Sequence, residues 1–481
     1  MLNKMKRLIY SPRKITLIFV LTALLALGSG WYICYPYFLV WLEGFSFFST
    51  LPDFTSVNLD LGTDLPHYLG AFLLQFFKWP VLGALVQSLL PVLSVFLLII
   101  LIRKIFKDAD ALSWIAFLPL PLLVYFQLGD LTLAVIIKWL LIIAVLTIAV
   151  SIVAIWKKVF LALPDFLSHK LFVLAVPILS MGASLYVMTN SSSLCNQHED
   201  VARLEHYAEH QQWDKILQEV SYKDAVRNEY KRKYAFLAMT EKGSLTDFAF
   251  LYGLSSSDDF LFYDVQEPFC LAFNVLFYKS LGMTNPAIYH SYQLGVQSLP
   301  GLSFDSVRYL ADLYIELKDY NLAKKYVDIL SHSTCHKRWV KERLPKLQEI
   351  KDAEPLYVDD KPKFVMESFL PDMSSMVDRY TDNHKYADYL LCGILAGKDG
   401  NTFYNVFQII AKYLYPDGKS IPRLYQEALL LIASHEPDVL NKYSFDNDVW
   451  KSFTDFTDMM SKGRSSQAKR KYSDTYWAYV Y

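Results

Sequence analysis

Before Asn190 the chain holds several apolar runs close to the roughly 20 residues a helix needs to cross a ~30 Å hydrocarbon layer. Apolar residues are concentrated there rather than spread along the 481 positions, so the two parts are built for different solvents. The first 190 residues carry 13 Lys/Arg against 8 Asp/Glu, and the remainder carries 34 against 40. A net charge of −1 with 53% hydrophobic residues excludes a disordered chain and a nucleic-acid binder acting by bulk electrostatics. The expected fold is all-α, with a polytopic membrane domain over 1–190 followed by a helical soluble part.

Five spans are expected: Ile15–Cys34, Pro80–Ile102, Ala111–Leu128, Leu131–Trp156 and Leu171–Met188. The first follows a cationic stretch but has no A-x-A-like cleavage site after its core, and it reads as a retained anchor. With the N-terminus in the cytoplasm, five crossings place 11 basic residues inside and only Lys78 and Lys138 outside. An odd number of crossings then sends everything after Asn190 out of the cytoplasm. The expected address is the bacterial inner membrane with a periplasmic C-terminal domain, and the first partner is the lipid bilayer.

Between the first two spans, residues 35–79 form an outer loop with Glu43, Asp53, Asp60 and Asp64 and an amphipathic stretch from Pro66 to Lys78. The expectation is a set of interfacial helices anchored by Trp41, Phe47, Phe48 and Trp79. The sharper alternative is a cavity whose carboxylates do chemistry or hold a cation. This layout resembles integral-membrane glycosyltransferases that use lipid-phosphate sugars. That resemblance implies Glu43, Asp53, Asp60 or Asp64 as a catalytic base, although such enzymes usually have more than five crossings. Lys138, about seven residues into the fourth span, is expected to snorkel outward, the alternative being an ion pair with Glu43 or Asp130.

Past the polar linker at Asn190–Ser193 the pattern is serially helical. In Ser306–Ser331, Tyr309, Leu310, Leu313 and Tyr314 share one face, Lys318-Asp319-Tyr320 turns, and Ala323, Val327 and Leu330 form a second face. This unit resembles a tetratricopeptide repeat. Similar turns near Trp213, Leu245, Asn285 and Tyr320 are spaced by 32, 40 and 35 residues, near the 34 expected for such helix pairs. The reading is a TPR-like α-solenoid over 194–350, a charged linker from Lys351 to Lys363, and a further helical region over 364–481. Its aromatic end, with Tyr476, Trp477, Tyr479 and Tyr481, is expected to pack on the last helices.

His206-Tyr207-Ala208-Glu209-His210 matches H-x-x-E-H, in which two His one turn apart hold zinc and the Glu activates water. Val201, Leu204 and Ala208 define the buried stripe of that helix, so His206, Glu209 and His210 are expected on its solvated face. His332, Cys335 and His336 also have metal-ligand types, at a helix end where polar groups are ordinary. No Gly-rich phosphate loop, nucleophile elbow or CxxC occurs, and no cofactor is expected. For Cys195, Cys270, Cys335 and Cys392, one disulfide and free thiols are comparable readings.

Three stretches carry a wider resemblance: Pro66-His67-Tyr68-Leu69-Gly70 with Gln75-Phe76-Phe77, Leu424-Tyr425-Gln426-Glu427-Ala428-Leu429, and Thr475-Tyr476-Trp477-Ala478-Tyr479. Together they are similar to a bacterial family of multi-pass membrane proteins of unknown function, which implies architecture and envelope location. The function expected is scaffolding, a protein or peptide partner docking on the helical repeats around Tyr309, Tyr314 and Tyr320. The alternative is an envelope enzyme acting on a lipid-linked glycan through the outer-loop carboxylates.

Overall fold

The structure, a computed structural model, describes residues 12–60, 65–106, 110–156, 169–263, 265–299, 301–356, 369–416 and 421–481. It is all-helical, with no strand among the described residues. Two compact units emerge, one from residues 1–203 and 294–355, the other from 204–293 and 356–481. The contacts therefore do not follow the expected boundaries at 190 and 350, because helices after Leu294 pack with the first unit.

In the first unit, α1 (Pro12–Cys34), α2 (Pro36–Phe45), α3 (Pro52–Asp60), α4 (Leu65–Leu74), α5 (Pro80–Ile105), α6 (Leu120–Gln127), α7 (Ala134–Trp156), α8 (Lys170–Asn190) and the start, up to Arg203, of α9 (Leu194–Glu209) follow in order. Four of these, α1, α5, α7 and α8, contain apolar stretches of 20 to 26 residues, long enough to cross a membrane. They coincide with four of the five expected spans. The fifth, Ala111–Leu128, is not one continuous helix. It is a 3-10 turn over Ser113–Phe117 followed by the eight residues of α6, because Pro119 and Pro121 lack the N–H groups that would carry one ladder through. The broken segment still runs from one end of the bundle to the other. At one end Thr16 and Ser113 share a hydrogen bond of 2.8 Å, and Arg13 and Arg103 both pair with Asp110. At the other, the Cys195 N–H donates to the Leu128 carbonyl at 3.3 Å, and the Tyr35 hydroxyl reaches Asn196 at 2.7 Å.

A third proline explains a buried amide pair inside this bundle. Pro91 lies within α5, so the carbonyl of Gln87, four residues back, loses its helical donor. Gln127 of α6 supplies the replacement: its Nε2 donates to the Gln87 carbonyl at 3.0 Å and to Gln87 Oε1 at 2.8 Å. Interhelical amide bonds of this kind are how a low-dielectric bundle accommodates an interrupted ladder.

The described part of residues 35–79, expected as an outer loop of interfacial helices, is packed differently. Seven of the ten residues of α2 are buried, and Trp41, Phe47 and Phe48 are core residues, leaving only Trp79 of the four aromatic anchors exposed. Apart from Glu43 the buried side chains of α2 are apolar, and a helix buried over most of its surface is a core element rather than an amphipathic surface one. Trp41 stacks on Phe45 at 5.1 Å, and Phe48 contacts Phe54, Tyr68 and Phe72. Helix Phe304–Glu316 packs on α2, with the Phe304 N–H donating to the Ser46 carbonyl at 2.8 Å.

Helical hairpins build the remainder. Among the described residues the same turn occurs six times, with Gln211, Gly243, Gly282, Lys318, Lys398 and Gly463 in the left-handed region two residues before the next helix. In each, the following N–H donates to the carbonyl five residues back: Gln212 to Tyr207, Ser244 to Met239, Met283 to Tyr278, Asp319 to Tyr314, Asp399 to Ile394 and Arg464 to Met459. This is a Schellman cap, which satisfies the last carbonyls of one helix while reversing the chain. Asp319 and Asp399 then cap the new helix, accepting from the Leu322 and Thr402 N–H groups at 3.0 and 2.9 Å.

In the second unit, the core of the last hairpins is Leu430, Val449, Phe456, Ala468 and Trp477, so the aromatic tail packs inward as expected. Tyr476 donates to the Leu395 carbonyl at 3.0 Å and Tyr479 to that of Ala396 at 2.8 Å.

Candidate functional site

Of the four outer-loop carboxylates, Glu43 is 1% exposed and its Oε1 lies 2.5 Å from Nε2 of His336, itself fully buried. Phe304 stacks on the imidazole with centroids 4.2 Å apart. Burial pushes the His336 pKa below the usual imidazole value, against the pull of the Glu43 carboxylate. The neutral ring therefore donates Nε2–H to Glu43, and Nδ1, which has no hydrogen-bond partner, carries the lone pair. Lys78 closes the same region by donating to the Cys335 carbonyl at 3.1 Å, and Gln75 Oε1 accepts from the Thr334 N–H and hydroxyl at 3.2 and 2.8 Å.

Asp53 lies exposed in the first turn of α3, where a carboxylate favours the helix dipole. The Asp60 side chain and all of Asp64 fall outside the described residues. Glu43 and Asp53 thus do not face a shared cavity: one is sealed against His336 and the other is in solvent.

The histidine motifs resolve similarly. Glu209 and His210 are exposed, His206 is half-buried, and the two imidazole centroids lie 4.2 Å apart with His210 Nδ1 against the His206 carbonyl at 2.7 Å. Burial and the neighbouring His210 push His206 below the ordinary imidazole value. His332 is exposed with Nδ1 2.9 Å from the Asp328 carbonyl, while His336 points inward to Glu43, so His332, Cys335 and His336 do not converge. Among the described residues no group of three His, Cys, Asp or Glu is placed to hold a metal ion. All five cysteines are free thiols. Tyr309 is buried, and Tyr314 stacks on Tyr326 at 5.7 Å, so these rings serve the hairpin core.

Two concave features were not singled out from sequence. In the second unit a cleft of about 300 Å³ is lined by Asp247, Phe248, Leu251, Arg423, Glu427 and Asp474 with Tyr476. Buried Glu427 accepts from Arg423 Nε at 2.8 Å and from the Tyr476 N–H at 2.7 Å, which joins the Leu424–Leu429 and Thr475–Tyr479 motifs at one carboxylate. Burial raises its pKa, against Arg423 and the Tyr476 N–H. Phe248 and Leu251 stay exposed at 45% and 47% beside these charges. In the first unit, a largely apolar groove of about 360 Å³ between α6 and α7 is lined also by His67 and Lys138. Glu43 bonds His336, and Asp130 caps α7 by accepting from the Thr132 and Val135 N–H groups at 2.8 and 3.0 Å.

A further carboxylate organises the start of α2. Pro36 opens the helix, and Glu199 of α9 accepts from the helix-start N–H groups of Tyr37 and Phe38 at 3.2 and 2.8 Å. Burial pushes its pKa up to about 7, against those two bonds. A raised folded value means the folded state binds the proton more tightly than the unfolded chain, so this contribution to stability is full below about pH 4.5 and is lost as pH rises to 7. Glu199→Gln is expected to remove that pH dependence, on the order of 2 kcal/mol. Thermal unfolding in detergent across pH 4 to 8 checks it, and parallel curves for both proteins would contradict it.

These elements define an all-helical protein, four of whose helices are long and apolar enough to cross a membrane, joined to serial helical hairpins. The chain belongs to the family described as a family of unknown function, DUF6057, which matches residues 11–164 and 131–481. Neither the curated proteins nor the solved structures contain a match.

Proposed function

We propose that this protein is a multi-pass protein of the bacterial inner membrane that presents TPR-like helical hairpins on the periplasmic side as a docking surface for a protein or peptide of the envelope. The observation that carries this reading is the cleft of the second unit, where exposed Phe248 and Leu251 sit beside Arg423, Asp247 and Asp474. An exposed apolar pair rimmed by charges is the pattern of an interaction hot spot. Recurrence of one Schellman-capped turn supports the repeat reading. Arg13, Lys14, Arg103 and Lys104 gather at the end of the bundle opposite Lys138, which supports a cytoplasmic N-terminus.

The enzyme reading has less behind it, since the Glu43 carboxylate is enclosed and already bonded. A photo-crosslinking residue at Phe248 in the full chain, in living cells, is expected to trap a discrete protein, and Leu251→Asp is expected to abolish that product without changing expression. Crosslinking no stronger than from exposed Tyr222 would overturn docking at this cleft. A reporter fused after Tyr481 and active only in the cytoplasm would overturn the periplasmic address.

A further inference from the structure

The cleft of the second unit has a definite sign of charge. Arg423 is the only cation among its described lining residues, and buried Glu427 already holds its guanidinium at 2.8 Å. That pair cancels. Two further carboxylates line the cleft, Asp247 and Asp474. Both are exposed, and neither side chain has a hydrogen bond or an ion pair among the described residues. The hydrogen bond to Glu427, with the charges of Glu427, Asp474 and Asp448, raises the Arg423 pKa against burial. Desolvation raises that of Asp247, so its charged form gains from an arriving cation.

Apolar surface lies directly beside these acids. Phe248 follows Asp247 in the chain and Leu251 comes three residues later, and both rims stay open to solvent. Lys and Arg combine an apolar stem with a charged head, so they cover apolar surface while reaching a neighbouring carboxylate.

We propose that this cleft recognises a basic peptide segment, with a Lys or Arg directed to Asp247 and Asp474 and an apolar neighbour packed on Phe248 and Leu251. An acidic segment is rejected there, because it would set like charges against one another. The proposal rests on the docking function and adds the chemistry of the partner.

The full chain in detergent, with benzoylphenylalanine in place of Phe248, is photo-crosslinked to three blocked, biotinylated peptides: GSGLRLGSG and its forms with Gln or Glu instead of Arg. The Arg peptide is expected to reach half-maximal labelling at about fivefold lower concentration than the Gln peptide, and the Glu peptide only at a higher one. Asp247→Asn with Asp474→Asn is expected to erase the difference between the Arg and Gln peptides without moving the thermal midpoint. Salt at about 0.5 M is expected to erase it as well. Equal half-maxima with both carboxylates in place, or labelling no stronger than from benzoylphenylalanine at Tyr222, overturn the basic partner. Docking itself falls only if the crosslink from Phe248 in living cells fails too.

Discussion

Glu43→Ala is expected to destabilise the protein by about 3–5 kcal/mol, because it leaves the His336 N–H buried with no acceptor. His336→Ala is expected to do the same from the other side, stranding a carboxylate that is 1% exposed. The informative variant is the double one. Glu43→Leu with His336→Leu fills similar volume with nothing left to satisfy, and it is expected to recover most of the stability lost by either alanine substitution. Chemical denaturation of the detergent-solubilised full chain checks the ordering. A double variant as unstable as the singles would mean that the pair acts through something other than mutual satisfaction.

Trp477→Ala is expected to cost about 3–5 kcal/mol in the second unit, the range for removing a large aromatic side chain from a closed core. Its ring packs against Phe453 at 5.3 Å and Phe456 at 6.0 Å, so the loss should be felt first in Asn447–Ser461. Hydrogen exchange should rise in that helix and in Ser465–Lys471 and change little in α1 or α5, and Tyr481→Ala, at a ring 60% exposed, should have a small effect. Uniform exchange changes across the chain would show that the tail is not a local closure.

These two predictions mark the limits of what the sequence made legible. Hydropathy is a local property, and four spans were placed within a few residues from it. Ala111–Leu128 satisfied the same criterion and still broke, because Pro119 and Pro121 act on backbone donors rather than on transfer free energy. The hairpin turns were readable at Gly243 and Gly282, where glycine advertises a left-handed residue. At Gln211, Lys318 and Lys398 side-chain residues adopt that conformation at a cost of about 1 kcal/mol each, so spacing pointed to the first two turns and nothing pointed to the third.

Pairings across long separations were the least legible. Glu43 was singled out as a loop acid, and His336 as one of three metal-ligand types, yet nothing in either neighbourhood announces the other across 293 positions. Trp41, Phe47 and Phe48 were expected at an interface because Trp and Phe suit a headgroup layer and a protein core equally well, and nothing local in the sequence separates the two.

The order in which the two units take up the chain has a consequence for biosynthesis. The first unit needs residues 294–355, which leave the ribosome only after 204–293, a segment belonging to the other unit. Until His336 has been translated, Glu43 waits as a bare carboxylate and α2 lacks its cover, so final consolidation of the N-terminal part is a late, non-local event during synthesis. A nascent chain stalled before that point would be incomplete, and would offer its apolar aromatic-rich stretch around α2 to chaperones or proteases.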